Sequence, residues 1–222
     1  MTVADKIIQF CESLVSPEKL PKDVQVMNPY QDGLARQFAA RFYNKYYNDT
    51  NERIVLFGIN PGRFGGGITG VPFTDPLRLE ENCGIANPFD KKQELSSRFI
   101  YDIVEAYGGP EAFYSKFYIS AISPLGFVRD GKNLNYYDIA NFKTLFEKYA
   151  VERINEQLEF PLNKAIAFCI GQGQNQKFLT FLNDKYKLFR QIETVPHPRW
   201  VMQYRLKRKQ EFIDQYISKL IS

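Results

Sequence analysis

Apolar residues follow two alternating patterns along this chain, short continuous runs and longer stretches with helical spacing. The runs predict buried strands, and the spacings predict amphipathic helices. The stretch at 75–88 is irregular and polar, so no regular element is expected there. The predicted strands are 54–58, 117–122, 165–170 and 188–195, and the predicted helices are 3–15, 33–47, 93–106, 136–157, a short one around 178–182, and 201–220.

Strands that alternate with helices predict an α/β fold with right-handed crossovers and a mainly parallel four-stranded sheet between helical layers. In such a fold the segments that follow the strands meet at one edge of the sheet, where ligands bind. We therefore expect Asn60, Ser123, Gln172 and His197 to lie in one neighbourhood. With 222 residues and no repeat or linker, the chain is expected to form one domain, with residues 1–50 as a helical N-terminal extension.

The first predicted strand runs into a glycine-rich loop at residues 58–70. Five glycines after Pro61 allow backbone to approach a ligand closely. The chain has no Gly-Lys-Ser/Thr tripeptide, which excludes a Walker phosphate loop. A Gly-x-Gly-x-x-Gly spacing occurs at 65–70, but Pro72 follows where a dinucleotide-binding helix would continue. The loop is therefore expected to wrap around its ligand.

Charge and cysteine content narrow the class of protein only slightly. A net charge of +4 is compatible with a polyanionic partner without requiring one. The three cysteines are odd in number and widely spaced, which fits a reducing compartment and excludes a disulfide framework. The first fourteen residues carry charges among their apolar positions, so no signal peptide or membrane span is predicted. We expect a cytoplasmic protein, associated with the nucleoid when it binds DNA.

The strand ends supply an unusual set of chemical groups, namely the amide of Asn60, the imidazole of His197 and the ring of Phe73. No carboxylate is evident beside them. Asn60 can hold a water molecule without being a strong base, and His197 can donate a hydrogen bond to developing negative charge. Phe73 offers a flat face to a planar leaving group. Hydrolysis of a base–sugar bond, in which the base departs ahead of water attack, has these requirements.

Three ordered motifs resemble those of the single-strand-selective monofunctional uracil-DNA glycosylases, within the uracil-DNA glycosylase superfamily. The first is Gly-Ile-Asn-Pro-Gly at 58–62, continued by Thr-Gly-Val-Pro-Phe at 69–73. The middle segment is Ser-Pro-Leu at 123–125 followed by Asn-Leu at 133–134, and the last motif is His-Pro-Arg at 197–199. Together these landmarks span residues 54 to 200.

This resemblance implies a three-layer αβα fold, no cofactor and no metal, and a monomer that excises uracil or a related deaminated base from DNA in base excision repair. The base would be flipped out of the helix and held in a pocket. Asn60 would position the attacking water, and His197 would stabilise charge on the departing base. Ile59 and Gly62 would line the pocket, and Phe73 would stack on the base. The product would be an intact abasic site.

The chain departs from the family pattern at two places. Ala121 stands where the family has an asparagine that recognises the uracil edge, so the range of accepted bases is open. Ser123 is a further candidate substrate contact, and Ser120, Asn87 or backbone amides are candidates to compensate. The last motif is shorter than the family's His-Pro-Ser-Pro-Arg. The candidate DNA-contacting residues are Lys132, which is expected near the site edge, and Arg199 and Trp200, which are candidates for the duplex wedge and for phosphate contacts.

Two alternative functions remain open at this stage. The departures at Ala121 and in the last motif also fit a non-catalytic DNA-damage or nucleotide-binding module of the same fold. An enzyme acting on free nucleosides is the other alternative. It would bind its substrate with little dependence on salt, because it would not neutralise a phosphate backbone.

Overall fold

The structure, a computed structural model, describes residues 1–221. Ser222, which belongs to the predicted domain, lies outside the described residues. Strands β2, β3, β6 and β7 form the central sheet, and β1, β4 and β5 form a small second sheet. The strands found in residues 1–221 are β1 Gln25–Met27, β2 Arg53–Gly58, β3 Phe117–Ala121, β4 Gly126–Arg129, β5 Lys132–Leu134, β6 Leu162–Ile170 and β7 Gln191–Val195.

The central sheet has the order β3-β2-β6-β7, and all its neighbouring strands are parallel. This confirms the predicted mainly parallel four-stranded sheet. β2 is buried along nearly its whole length, with Val55 paired to Tyr118 on one side and Ala167 on the other. The chain moves outward from β2 to β3 and then returns across β2 to β6. The carboxyl end of β2 therefore lies at a topological switch point, where open α/β sheets bind ligands.

Helices cover both faces of the sheet and give the predicted three-layer αβα arrangement. In one group α5 contacts α9 and α10, and in another α1 contacts α2 and α7. Within the described chain, none of the helices combines the length and apolarity needed to cross a lipid bilayer. The α-helices are α1 Val3–Ser13, α2 Gly33–Tyr46, α3 Gly66–Thr69, α4 Pro76–Glu81, α5 Leu95–Tyr107, α6 Pro110–Lys116, α7 Phe142–Gln157, α8 Gln174–Tyr186, α9 Pro198–Tyr204 and α10 Lys209–Leu220.

The small antiparallel sheet was not predicted, because strands of three or four residues are too short to show a period. β4 pairs with β1 on one side and with β5 on the other. Asp130 and Gly131 join β4 to β5 with positive φ values of 50° and 68°. Two consecutive positive φ values match the type I′ turn that suits the twist of a two-residue hairpin. The hairpin places Lys132 and Asn133 beside the glycine-rich loop.

Several predicted boundaries are wrong for local reasons. The segment at 75–88, expected to be irregular, contains α4, which Asp75 caps through a hydrogen bond from the Arg78 amide and which Pro76 starts. The predicted helix 136–157 begins only at Phe142, after a 3₁₀ turn and a left-handed Asn141. The predicted closing helix 201–220 is divided into α9 and α10 by a second 3₁₀ turn.

The N-terminal fifty residues support the glycine-rich loop from behind. The Tyr30 hydroxyl donates a hydrogen bond of 2.8 Å to the carbonyl oxygen of Gly70. Gly70 has φ 71°, and a Cβ there would lie 2.9 Å from the Ala39 Cβ, so both its conformation and its surroundings require glycine. The Met27 side chain packs against Gly67, where an added Cβ would be 2.5 Å from its sulfur. These residues were expected to form a helical extension, but they also contribute β1 and part of the common hydrophobic core.

Candidate active site

A cavity lies beyond the carboxyl ends of β2, β3 and β7, and we call it the central cavity. It has an empty volume of about 690 Å³, which includes its open mouth. It brings together most of the residues proposed from the sequence as contacts of a substrate. Of these, Ile59, Asn60, Gly62, Phe73, Ala121 and His197 line it.

Hydrogen bonds fix the orientation of the Asn60 amide. Its Oδ1 accepts a bond of 3.0 Å from the Tyr136 backbone N–H, and its Nδ2 donates to the carbonyl oxygens of Leu134 at 3.2 Å and Pro61 at 3.3 Å. Because two carbonyl acceptors surround Nδ2 and an N–H donor faces Oδ1, the positions of the amide nitrogen and oxygen are defined. Because a carbonyl oxygen has two lone pairs, Oδ1 keeps one for a further donor such as water.

His197 is held in one tautomer at the start of α9. It occupies the N-cap position, and its Nδ1 accepts a hydrogen bond of 3.1 Å from the Arg199 backbone N–H. The proton of the neutral ring must then be on Nε2. Burial lowers the pKa of His197 to about 4, with a further contribution from the positive charge of Arg199. At neutral pH the ring is therefore uncharged and can donate a hydrogen bond only from Nε2.

Phe73 occupies a left-handed backbone conformation, with φ 51°. This conformation is unfavourable for a bulky side chain and persists only where the surroundings impose it. Gly58 makes room for the ring, because a Cβ there would lie 2.8 Å from Phe73 Cε2. The ring centroid of Phe73 lies 6.1 Å from that of His197, at an interplanar angle of 55°. The ring therefore forms one wall of the central cavity beside His197.

A carboxyl group lines the central cavity as well, although none was expected from the sequence. Glu94 stands at the N-cap position of α5, but its side chain does not cap that helix. Instead it lies against the glycine-rich loop, where a Cβ on Gly62 would be 2.4 Å from Glu94 Oε1. Burial raises the pKa of Glu94 to about 7, and the nearby Asp75 carboxylate raises it further while Arg199 opposes the shift. Glu94 thus titrates near neutral pH.

The remaining predicted contacts are divided between the cavity and the interior. Ser120 lines the cavity, and its hydroxyl donates to Gln157 Oε1, which leaves the oxygen free to accept a bond. Ser123 is buried and donates its hydroxyl to the Leu125 carbonyl, so it is not part of the cavity wall. The Asn87 amide is bonded to backbone carbonyls away from the cavity. Gln172 does not line the cavity either, although its neighbour Gly171 lies against His197, where an added Cβ would be 3.3 Å from the ring Cδ2.

A second, adjoining depression, here called the outer cavity, shares Glu94 and Arg199 with the central cavity. Lys132 lines it, as does Arg63, which the sequence did not single out. Trp200 lies outside both cavities; it is 38% exposed, and its ring packs edge-on against Phe212. The cationic side chains therefore collect at the mouth of the central cavity, where a polyanion would approach.

Comparison with known proteins identifies the family. A model of the uracil DNA glycosylase superfamily matches residues 44–221, so the chain belongs to this superfamily, as the sequence motifs predicted. Membership indicates a DNA glycosylase, a hydrolase whose substrate is DNA.

Among solved structures, the crystal structure of wild-type SMUG2 from Pedobacter heparinus is similar over almost the whole chain. The two sequences are 43% identical, with a TM-score of 0.95 and coverage of 99% of this chain and 97% of that chain. No curated protein matches the sequence.

Proposed function

We propose that the protein is a monofunctional DNA glycosylase that removes uracil or a related deaminated base from DNA and leaves an abasic site for base excision repair. The observation that carries this proposal is the placement of Asn60, His197 and Phe73 around one cavity at the carboxyl ends of the strands. Within the described chain no lysine lines that cavity, which supports hydrolysis by water without a covalent amine intermediate.

The base leaves as an anion when the bond between its ring nitrogen and C1′ of the sugar breaks. His197 is suited to this step because it is neutral and presents a single donor, the Nε2–H. A neutral donor stabilises developing charge on a carbonyl oxygen of the base without losing its own proton to solvent. In this proposal His197 acts on the leaving base through that hydrogen bond.

Asn60 holds the attacking water on the other side of the scissile bond. Its amide cannot rotate without losing the bonds to Tyr136 and Leu134, so the free lone pair of Oδ1 points in one direction. A water bound there loses little further entropy when it reacts. Asn60 is therefore a positioning group for water, and it does not need to accept a proton.

The extruded base would stack on Phe73 and meet few polar groups at its edge. Ala121 offers no hydrogen bond, while Ser120 Oγ can accept one from a ring N–H. A pocket that does not pair every polar atom of the base discriminates weakly among related bases. This supports a substrate range that includes uracil and other deaminated bases.

DNA would enter across the mouth of the central cavity. Lys132 and Arg199 are proposed to contact phosphates there, since both line the outer cavity. Trp200 is proposed as the wedge that fills the space left by the flipped base. We propose that the enzyme acts as a monomer in the cytoplasm.

The test is release of base from a panel of oligonucleotides containing uracil, hypoxanthine or xanthine, in single and double strands. Treatment with alkali afterwards converts abasic sites to strand breaks. We expect breaks for at least one base with the wild type and a large loss with Asn60→Ala. Binding to the damaged base without any release would instead establish the non-catalytic alternative. Activity on free nucleosides, together with binding that does not vary with salt, would establish the nucleoside enzyme.

A further inference from the structure

Hydrolysis requires a group that accepts a proton from the attacking water, and neither of the two residues described above can do so. The Asn60 amide is not basic at neutral pH. The basic nitrogen of His197, Nδ1, already accepts the Arg199 backbone N–H, and the other nitrogen carries the proton. The water would otherwise have to attack without a base. Another proton acceptor is therefore needed in the central cavity.

Glu94 is the one carboxyl side chain that lines the central cavity within residues 1–221. Its two oxygens face the loop that follows Asn60, where a Cβ added to Gly62 would clash with Oε1 and one added to Gly65 would clash with Oε2. Any side chain at either glycine would displace the carboxyl group. In the part of the chain that the structure describes, no hydrogen bond or ion pair holds this carboxyl. Its acceptor sites are thus available to a ligand.

Glu94 lies at the junction of the two cavities, which the sugar of a bound nucleotide would occupy. Gly58, Phe73 and Ala121 form the inner part of the central cavity, at the strand ends. Glu94 instead lies where the central and outer cavities join, beside Asn133 and Arg199. A base inserted against Phe73 has its sugar at this junction, since the sugar connects it to the DNA backbone outside. In the proposed complex the carboxyl group would therefore be near C1′, on the path of the attacking water.

We infer that Glu94 is a catalytic residue that acts as the general base in the proposed glycosylase reaction. The inference rests on the proposed function. A lone pair of the water oxygen forms the new bond to C1′, and the electron pair of the C1′–N bond leaves with the base. One proton passes from the water to a carboxylate oxygen of Glu94, and solvent later receives that proton and supplies one to the base anion.

The charges around Glu94 are arranged for this role. The Asp75 carboxylate, whose Oδ2 accepts the Glu94 backbone N–H at 2.8 Å, lies behind it. Arg199 lies across the junction, and Arg63 and Lys132 border the outer cavity. With a pKa of about 7, the group is ionised in part of the molecules at neutral pH and is basic enough to take a proton. Release of base should accordingly accelerate as pH rises through about 7.

The experiment compares single-turnover base release from a uracil oligonucleotide by wild type, Glu94→Gln and Glu105→Gln between about pH 5 and pH 9. Glu105 is a matched control, because it is on the same helix α5 but lies outside both cavities, where its carboxylate accepts a bond from Asn82. Thermal unfolding and binding to the abasic product oligonucleotide are measured for each variant, so that loss of folding or of DNA affinity is recognised.

The expected result is a wild-type rate that rises with pH through about 7 and then levels, and a Glu94→Gln rate that is about 10²–10⁴-fold lower and lacks the rise. Glu105→Gln should follow the wild type. Two outcomes overturn the inference: Glu94→Gln releasing base at nearly the wild-type rate, or Glu94→Gln losing rate while keeping the rise with pH. Failure of the wild type to release any base is a different result, because it refutes the proposed function itself.

Discussion

Replacement of Asn60 by alanine tests whether its amide serves the reaction as well as the fold. The change removes the three hydrogen bonds to Tyr136, Leu134 and Pro61. At about 0.5–1.5 kcal/mol each, their loss should lower the free energy of unfolding by about 2–4 kcal/mol. For a protein of this size that corresponds to a decrease in Tm of about 4–16 °C.

The loss of activity should be larger than this loss of stability can explain. At a temperature where both proteins are folded, we expect the single-turnover rate of base release to fall by about 10²–10⁴-fold. Affinity for an oligonucleotide that contains the damaged base should change much less. Gel-based assays of release and fluorescence anisotropy of binding measure the two quantities separately.

Asn183→Ala is the matched control for Asn60→Ala. Its amide also bridges backbone groups, since it accepts from the Phe189 N–H at 2.8 Å and donates to the Phe189 carbonyl at 3.0 Å, and it lies outside the central cavity. It should lose stability and keep its activity. Equal losses of rate and of DNA affinity in Asn60→Ala, or an Asn60→Ala protein as active as the Asn183→Ala control, would refute the assigned role.

Three other changes test the fold around the site. Arg53→Leu should lower the free energy of unfolding in urea by about 3–5 kcal/mol, because the buried guanidinium donates hydrogen bonds to both Asp49 carboxylate oxygens and to backbone carbonyls. A decrease below about 1 kcal/mol would contradict this. Gly58→Ala should displace the Phe73 ring and slow base release about 10–100-fold with little effect on DNA affinity, and an unchanged rate would show that the ring position is unimportant. The pKa of His197 is about 4 in the folded state and about 6.5 in the unfolded state, so its contribution to stability is fully present above pH 6.5 and decreases by about 3 kcal/mol as pH falls towards 4. His197→Gln should remove that part of the pH dependence of the free energy of unfolding. A pH dependence identical to that of the wild type would disprove this assignment.

The sequence predicts the parts of the fold that depend on local pattern. The short apolar run ending at Gly58 predicts a buried strand, and the strand–helix alternation then predicts a parallel sheet; the structure confirms both. His197 and Asn60 were placed correctly at one edge because both directly follow parallel strands. The breaks before Phe142 and after Tyr204 were missed, since apolar spacing continues across them while the backbone does not.

Glu94 could not be found in this way. It follows no strand, and it is 34 positions after Asn60 in the sequence. Its raised pKa comes from burial against the glycine-rich loop and from Asp75, and both contacts exist only in the folded chain. The one available signal was the spacing of Gly62 and Gly65, which were recognised as positions of close approach. The sequence predicts that a ligand lies against these glycines, whereas the structure shows the Glu94 carboxyl group there.

The support of the glycine-rich loop by Met27 and Tyr30 also affects how the protein should be shortened for study. The superfamily model begins at residue 44, so a fragment designed from that match alone would retain Asn60, Phe73 and His197 but discard the hydroxyl that holds Gly70. Such a fragment would keep every proposed catalytic side chain and still leave the loop without its anchor. Useful truncations of this enzyme should therefore start upstream of β1.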